Sequence, residues 1–133
     1  MNRNIEPFDD KAYEEEAHRR WGDTPAWKES RRRTASYGPK DWEAIKKEAD
    51  GIVRAMADLQ ATGADPTSPP AMDLADQYRR HIDRWFYPCS REIHAQLGTM
   101  YVEDPRFAAT YEKYRPGLAV FVRDAIHANA RRG

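Results

Sequence analysis

Residues 68–90 read SPPAMDLADQYRRHIDRWFYPCS. Ser68-Pro69 pairs an N-cap residue with a proline at the first helical position, where the missing N–H costs nothing. The helix then runs through the apolar residues Met72, Leu74, Tyr78, Ile82 and Trp85. Pro88 ends it, because a ring there clashes with the carbonyl four residues back. Ser90 can cap the next helix. The stretch is therefore predicted as a helix, a sharp corner carrying Cys89, and the start of a second helix.

The same punctuation recurs outward from it. From Asp41 onward Trp42, Ile45, Ala49, Val53, Met56 and Leu59 follow three- and four-residue steps until Gly63 and Pro66 stop the helix. Beyond Ser90 a helix carries Ile93, Leu97, Met100 and Tyr101, with Glu92 favourably placed in its first turn. Asp104-Pro105 opens a short helix through Phe107, Tyr111 and Tyr114. Pro116-Gly117 begins a last one with Leu118, Phe121, Val122, Ala125 and Ile126 inward. No repeat, low-complexity tract or convincing alternating segment appears, so the expected fold is an all-α bundle.

A chain of 133 residues fits one domain. With 33% charged residues and a mean hydropathy of −0.97, much of it must stay in water. Its 22 basic and 22 acidic residues cancel, leaving no bulk field to hold a polyanion, so no direct nucleic-acid partner is expected. Cys89, the single cysteine, cannot form an internal disulfide, and the opening MNRNIEPFDD lacks the apolar run of a secretory signal. No stretch reaches the ~18 apolar residues of a spanning helix. The expectation is a cytoplasmic protein with no membrane partner, for which a monomer suffices.

Residues 1–40 differ from the remainder. Between Asp9 and Lys40 there is no Val, Ile, Leu, Met or Phe, only alanine and the aromatics Tyr13, Trp21, Trp27 and Tyr37. Short helices can still form, since Tyr13, Ala17 and Trp21 share a face and Thr24-Pro25 is another capping pair. Burying so few side chains offsets little of the ~1–2 kcal/mol per residue that ordering costs. Residues 41–133 are therefore expected to form the stable core, and residues 1–40 an aromatic arm that orders on binding. The alternative is that Trp21 and Trp27 pack permanently on the bundle.

The chemistry-bearing candidates cluster at the corner. Cys89 precedes a helix N-terminus and Arg91, a setting that lowers a thiol pKa, against the alternative of an inert buried cysteine. His81 and His94 flank it in sequence, so an imidazole could approach the thiol. No oxyanion-hole glycine motif accompanies them, and the only carboxylate to orient an imidazole is the generic Asp83, so an enzyme is not expected. One cysteine and four scattered histidines lack the paired spacing of a zinc site, and no metal or other cofactor is expected. Arg31, Arg32 and Arg33 wrap around a helix and read as a solvated face, balanced by Glu14, Glu15 and Glu16. Trp85, Phe86 and Tyr87 cover most of a helix circumference, so at least one ring can line a pocket.

From His81-Ile82-Asp83-Arg84-Trp85-Phe86-Tyr87-Pro88-Cys89-Ser90, through Leu97-Gly98, Met100-Tyr101-Val102, Asp104-Pro105-Arg106-Phe107 and Pro116-Gly117-Leu118, the chain closely resembles the TipAS antibiotic-recognition domain family. Arg20-Trp21-Gly22-Asp23-Thr24 and Trp27-Lys28-Glu29-Ser30 look like its entry segment, so the resemblance covers nearly the whole chain. It implies a globin-like, all-α drug-binding domain whose N-terminal part is mobile until a ligand orders it. It also implies a thiopeptide or another bulky polycyclic antibiotic as partner, and a cysteine in the Tyr87-Pro88-Cys89-Ser90 corner that attacks a dehydroalanine in the ligand's tail. Cys89 is thus the expected point of covalent attachment. Trp21, Trp27, Tyr37, Trp85, Tyr87 and His94 are the side chains expected around the ligand, because wide rings stack on flat heteroaromatics.

Regulators of the family carry a MerR-type winged helix-turn-helix and a dimerising helix, and neither fits ahead of Asp9. The leading expectation is a stand-alone domain that sequesters antibiotic and so confers resistance or senses the drug. The alternatives are a sensing or protein-interaction fragment of a longer regulator and, third, a cysteine-dependent enzyme.

Overall fold

The computed structural model describes residues 24–132, so Trp21 and the arm ahead of Thr24 lie outside the described residues. Six α-helices and no strand occur among them: α1 (Pro25–Thr34), α2 (Pro39–Ala61), α3 (Pro69–Trp85), α4 (Arg91–Glu103), α5 (Pro105–Tyr114) and α6 (Leu118–Arg131). Among the described residues the all-α expectation holds; the helical face read at Tyr13, Ala17 and Trp21 lies outside them.

Local chemistry explains the boundaries. Proline stands in the first turn of α1, α2, α3 and α5, where its fixed φ favours the helix. Thr24 Oγ1 accepts the Trp27 N–H at 3.3 Å, Ser90 Oγ the Ile93 N–H at 3.1 Å, and Asp104 Oδ1 the Arg106 N–H at 2.9 Å. Ser68 holds the N-cap position of α3, yet its hydroxyl makes no capping bond. Helix α2 begins at Pro39, ahead of Asp41, because Asp41 Oδ2 reaches back to the Gly38 N–H at 3.0 Å. Gly63, at φ 84°, follows the end of α2 in a left-handed conformation that costs glycine nothing.

Helix α6 is the spine of the core, packing most extensively on α4, next on α3, and also on α5 and α2. It buries Leu118, Phe121, Val122, Ala125 and Ile126 against Leu97, Met100 and Tyr101 of α4 and Tyr111 of α5. On α3 the inward stripe is Ala71, Ala75, Tyr78 and Ile82, while Met72 and Leu74 are only half-buried. Of the apolar residues that the sequence places along this helix, Tyr78 and Ile82 are thus the ones buried in the core, joined there by alanines. Two alanines face inward because small side chains let a neighbouring helix come close.

A buried carboxylate ties this layer together. Asp76 accepts from Arg79 Nε at 2.9 Å, Arg80 Nε at 3.0 Å, Arg91 Nε at 3.4 Å and Asn129 Nδ2 at 2.9 Å. It therefore links α3 to α4 and to α6. Burial alone would raise its carboxyl pKa, but these donors hold it well below the usual carboxylate range.

Where α4 crosses α6, Gly98 is required by contact and not by φ. A Cβ there would meet Ile126 Cγ2 at 3.3 Å and Ile126 Cβ at 3.4 Å. Gly98→Leu is therefore expected to cost about 1–3 kcal/mol by overpacking. It should be read as a lower urea midpoint with an unchanged m-value. A midpoint equal to wild type would show that the two helices are not in this contact.

Candidate functional site

The site is built where α3 stops. The N–H groups of Phe86 and Tyr87 both donate to the Ile82 carbonyl, at 2.9 and 3.2 Å, and the chain then leaves the helix. Leaving it frees Phe86 and Tyr87 from helical geometry, so both rings are buried while Trp85 remains half-buried. Three consecutive rings that could not share a core on one helix do so at a corner.

Cys89 sits on that corner with both of its backbone polar groups held by α3 side chains. Its N–H donates to Asp83 Oδ1 at 2.8 Å, and its carbonyl accepts from Arg79 Nη1 at 2.8 Å. The thiol is 2% exposed, packed within the core cluster, with the Ser90 carbonyl 3.7 Å from Sγ.

The electrostatics run against the sequence expectation of a lowered thiol pKa. Burial pushes the Cys89 thiol up to about 12, with Arg79 opposing and Asp83 adding to the rise. Arg91 does not supply the expected field, since its guanidinium is turned to Asp76 and to the Arg132 carbonyl. The cost of removing a thiolate from water exceeds what one partly buried guanidinium returns.

Neither flanking histidine bonds the sulfur. His94 is 1% exposed, neither ring nitrogen has a hydrogen-bond partner, and burial takes its pKa down to about 3. Its ring meets Tyr78 edge-on at 5.7 Å. His81 turns to α2, where its Nδ1 pairs with Glu48 Oε1. A Cys–His ion pair is therefore not assembled in this state, because the two imidazoles were committed to different helix interfaces.

The arm aromatics fall into two groups. Trp27 is buried within α1, with Arg31 stacked over its ring at 5.8 Å. Tyr37 lies against the corner, its ring edge-on to Trp85 at 5.6 Å and to Trp42 at 5.7 Å. Its hydroxyl donates to the Trp85 carbonyl at 2.6 Å. The Trp85 indole N–H donates to Glu48 Oε1 at 3.1 Å, and Arg84 Nη1 donates to Glu48 Oε2 at 2.8 Å. Burial would raise the Glu48 pKa, but the bonds from His81, Arg84 and Trp85 bring it below the ordinary value.

Tyr37, Trp85 and Tyr87 are thus brought to the C-terminal end of α3, from which the chain continues into Cys89. His94 lies inside the bundle, and Trp21 lies outside the described residues. Sequence reasoning missed the roles of Trp42, Glu48, Arg79 and Arg33. Trp42 reads as core alone and Arg33 as part of a solvated face, while Glu48 and Arg79 carry no motif; they matter through partners beyond their own helical turn. Within the basic triplet Arg32 and Arg33 both donate to Glu29, and the acidic run Glu14, Glu15 and Glu16 lies outside the described residues.

Among the described residues no cluster of three or more His, Cys, Asp or Glu side chains is placed to hold a metal, and no helix is long and apolar enough to cross a membrane.

The TipAS antibiotic-recognition domain family matches residues 13–129. The HTH-type transcriptional activator TipA of Streptomyces coelicolor is 46% identical over 125 residues, covering 94% of this chain and 49% of the activator. The HTH-type transcriptional activator mta of Bacillus subtilis is 34% identical over 114 residues, covering 86% of this chain and 43% of its own length. The chain therefore spans about half the length of these relatives.

Among solved structures, TipAS of Streptomyces lividans in complex with nosiheptide, described as a thiopeptide antibiotic multidrug resistance system, matches with a TM-score of 0.83 and 46% identity. The match covers 94% of this chain and 87% of that one. The antibiotic binding domain of a TipA-class multidrug resistance transcriptional regulator matches with a TM-score of 0.63 and 44% identity, over 68% of this chain and 97% of that one. The fold is the globin-like helical bundle that the sequence resemblance implied.

Proposed function

Because this chain belongs to the TipAS antibiotic-recognition family, we propose that it binds thiopeptide antibiotics at the end of α3 and attaches a dehydroalanine-bearing one through Cys89. The observation that carries the reading is the likeness, over 94% of the chain, to a domain solved with nosiheptide in place. Tyr37, Trp42 and Trp85 supply the wide rings that a flat heteroaromatic macrocycle stacks on. Trp21, in the part of the 1–40 arm outside the described residues, is the aromatic left to close over the ligand, since Trp27 is already buried within α1.

The activity is binding without turnover. Each molecule takes up one antibiotic, and at high copy this lowers the free drug by mass action. A free, unpaired thiol suits the reducing cytoplasm. A second reading is favoured by one observation: the matched relatives are about twice as long and are transcriptional activators. The chain would then be the sensing module of a MerR-type regulator.

Titration of the wild-type protein with a thiopeptide, followed by tryptophan fluorescence, should saturate at one antibiotic per chain. Trp85→Ala should weaken the reversible step by about tenfold, the loss of one well-packed ring at a contact centre. No change in fluorescence or heat on titration would overturn the reading.

A further inference from the structure

The carbonyl end of α3 is left without main-chain donors by the corner that follows it. Phe86 and Tyr87 spend their N–H groups on the Ile82 carbonyl, Pro88 has none, and Cys89 spends its own on the Asp83 side chain. The carbonyls of Asp83, Arg84 and Trp85 would then be orphaned at the negative end of the helix dipole.

Two residues fill that role, Arg33 in the last turn of α1 and Tyr37 in the link to α2. Arg33 Nη1 donates to the Asp83 carbonyl at 2.7 Å and reaches the Arg84 carbonyl at 3.4 Å, and Tyr37 donates to the Trp85 carbonyl at 2.6 Å. Arg33 is itself held by Glu29 Oε2 at 2.7 Å, so the guanidinium is aimed before it docks. Asp83 is the shared residue: its carbonyl takes Arg33 and its carboxylate takes the Cys89 N–H. An unbroken path of hydrogen bonds runs from the arm, through one residue, to the residue that bears the thiol.

We propose that Arg33 and Tyr37 are positioning residues for Cys89, capping α3 so that docking of the arm and placement of the thiol-bearing corner are a single event. The consequence for antibiotic attachment rests on the proposed covalent reading; the coupling itself does not.

The double variant Arg33→Gln, Tyr37→Phe tests it. Both substitutions keep the bulk of the side chain, and Tyr37→Phe keeps the ring offered to a ligand. Amide hydrogen exchange on the full chain, without antibiotic, should show the Cys89 N–H exchanging about tenfold faster than in wild type. The amides of Met100 and Val122 in the core should keep their wild-type rates, which general destabilisation would not allow. With a dehydroalanine thiopeptide at saturating concentration, the rate of adduct formation should fall. Unchanged protection at Cys89, or equal acceleration at Cys89 and in the core, would overturn the proposal. Faster exchange at Cys89 with no adduct on either protein would support the coupling and remove covalent attachment instead.

Discussion

Cys89→Ala is expected to abolish adduct formation with a dehydroalanine thiopeptide while leaving reversible binding in place, as read by intact mass and by fluorescence titration of the same samples. In the addition the sulfur forms a bond to the terminal carbon of the dehydroalanine, its C=C π bond breaks, and the proton released by the thiol is balanced by one taken up at the α-carbon. The product therefore gains one whole antibiotic mass with nothing lost. With the thiol pushed up to about 12, the thiolate fraction at neutral pH is on the order of one in 10⁵. A freely diffusing ligand would react negligibly at that fraction. Effective molarities of roughly 10⁵–10⁸ M for well-aligned partners are the right size to offset it, so attachment should be fast only for a ligand already seated.

That balance also fixes the pH dependence of attachment. Below the thiol pKa the attachment rate should rise about tenfold per pH unit, because each unit multiplies the thiolate by ten. From pH 6 to pH 8 that is about a hundredfold. A flat profile would mean that the thiolate is not the attacking species, and an adduct on Cys89→Ala would place the chemistry on another side chain. Small alkylating reagents should react slowly with the folded wild type for the same reason, the thiol being both protonated and 2% exposed.

The contrast between corner and bundle shows where sequence is informative. Capping pairs such as Thr24-Pro25, Ser68-Pro69 and Asp104-Pro105 act within one turn, so their reading survives in the structure nearly unchanged. The stripe on α3 was less legible, because Ala71 and Ala75 face inward on account of how closely a neighbour approaches, not on account of their own hydrophobicity. For the thiol, sequence offered both an activated and a buried, inert cysteine and could not choose between them; the structure takes the buried one. Helix dipole and Arg91 are local features, whereas burial by the core, Asp83's clamp and Arg91's diversion to Asp76 depend on tertiary packing. Glu48 makes the same point: its three partners His81, Arg84 and Trp85 lie more than thirty residues away in the chain.

His94 gives the second large expected effect, in acid. Its ring is buried with both nitrogens unpartnered, and desolvation is the main reason its pKa falls to about 3, the nearby Arg79 adding to the fall and Asp76 opposing it. An unfolded chain binds that proton near pH 6.5, so below that value the unfolded state holds more protons and stability falls as pH falls. One proton contributes about 1.4 kcal/mol per pH unit across this window, which is large beside the roughly 5–15 kcal/mol that a domain holds in total. His81 has the same sign, since burial lowers its pKa against the pull of Glu48. Asp76, held low, adds its own loss only as pH drops below the ordinary carboxylate range near 4. The region between about pH 6.5 and 4.5 therefore isolates the histidines. His94→Leu fills a similar volume and removes two unpaired polar atoms from the core, so at pH 7 it should be at least as stable as wild type. Urea unfolding at successive pH values should then show the advantage of His94→Leu growing by about 1.4 kcal/mol for each unit of acidification. Parallel curves for the two proteins would mean that His94 takes up its proton equally well folded and unfolded, and that its nitrogens reach a partner or solvent.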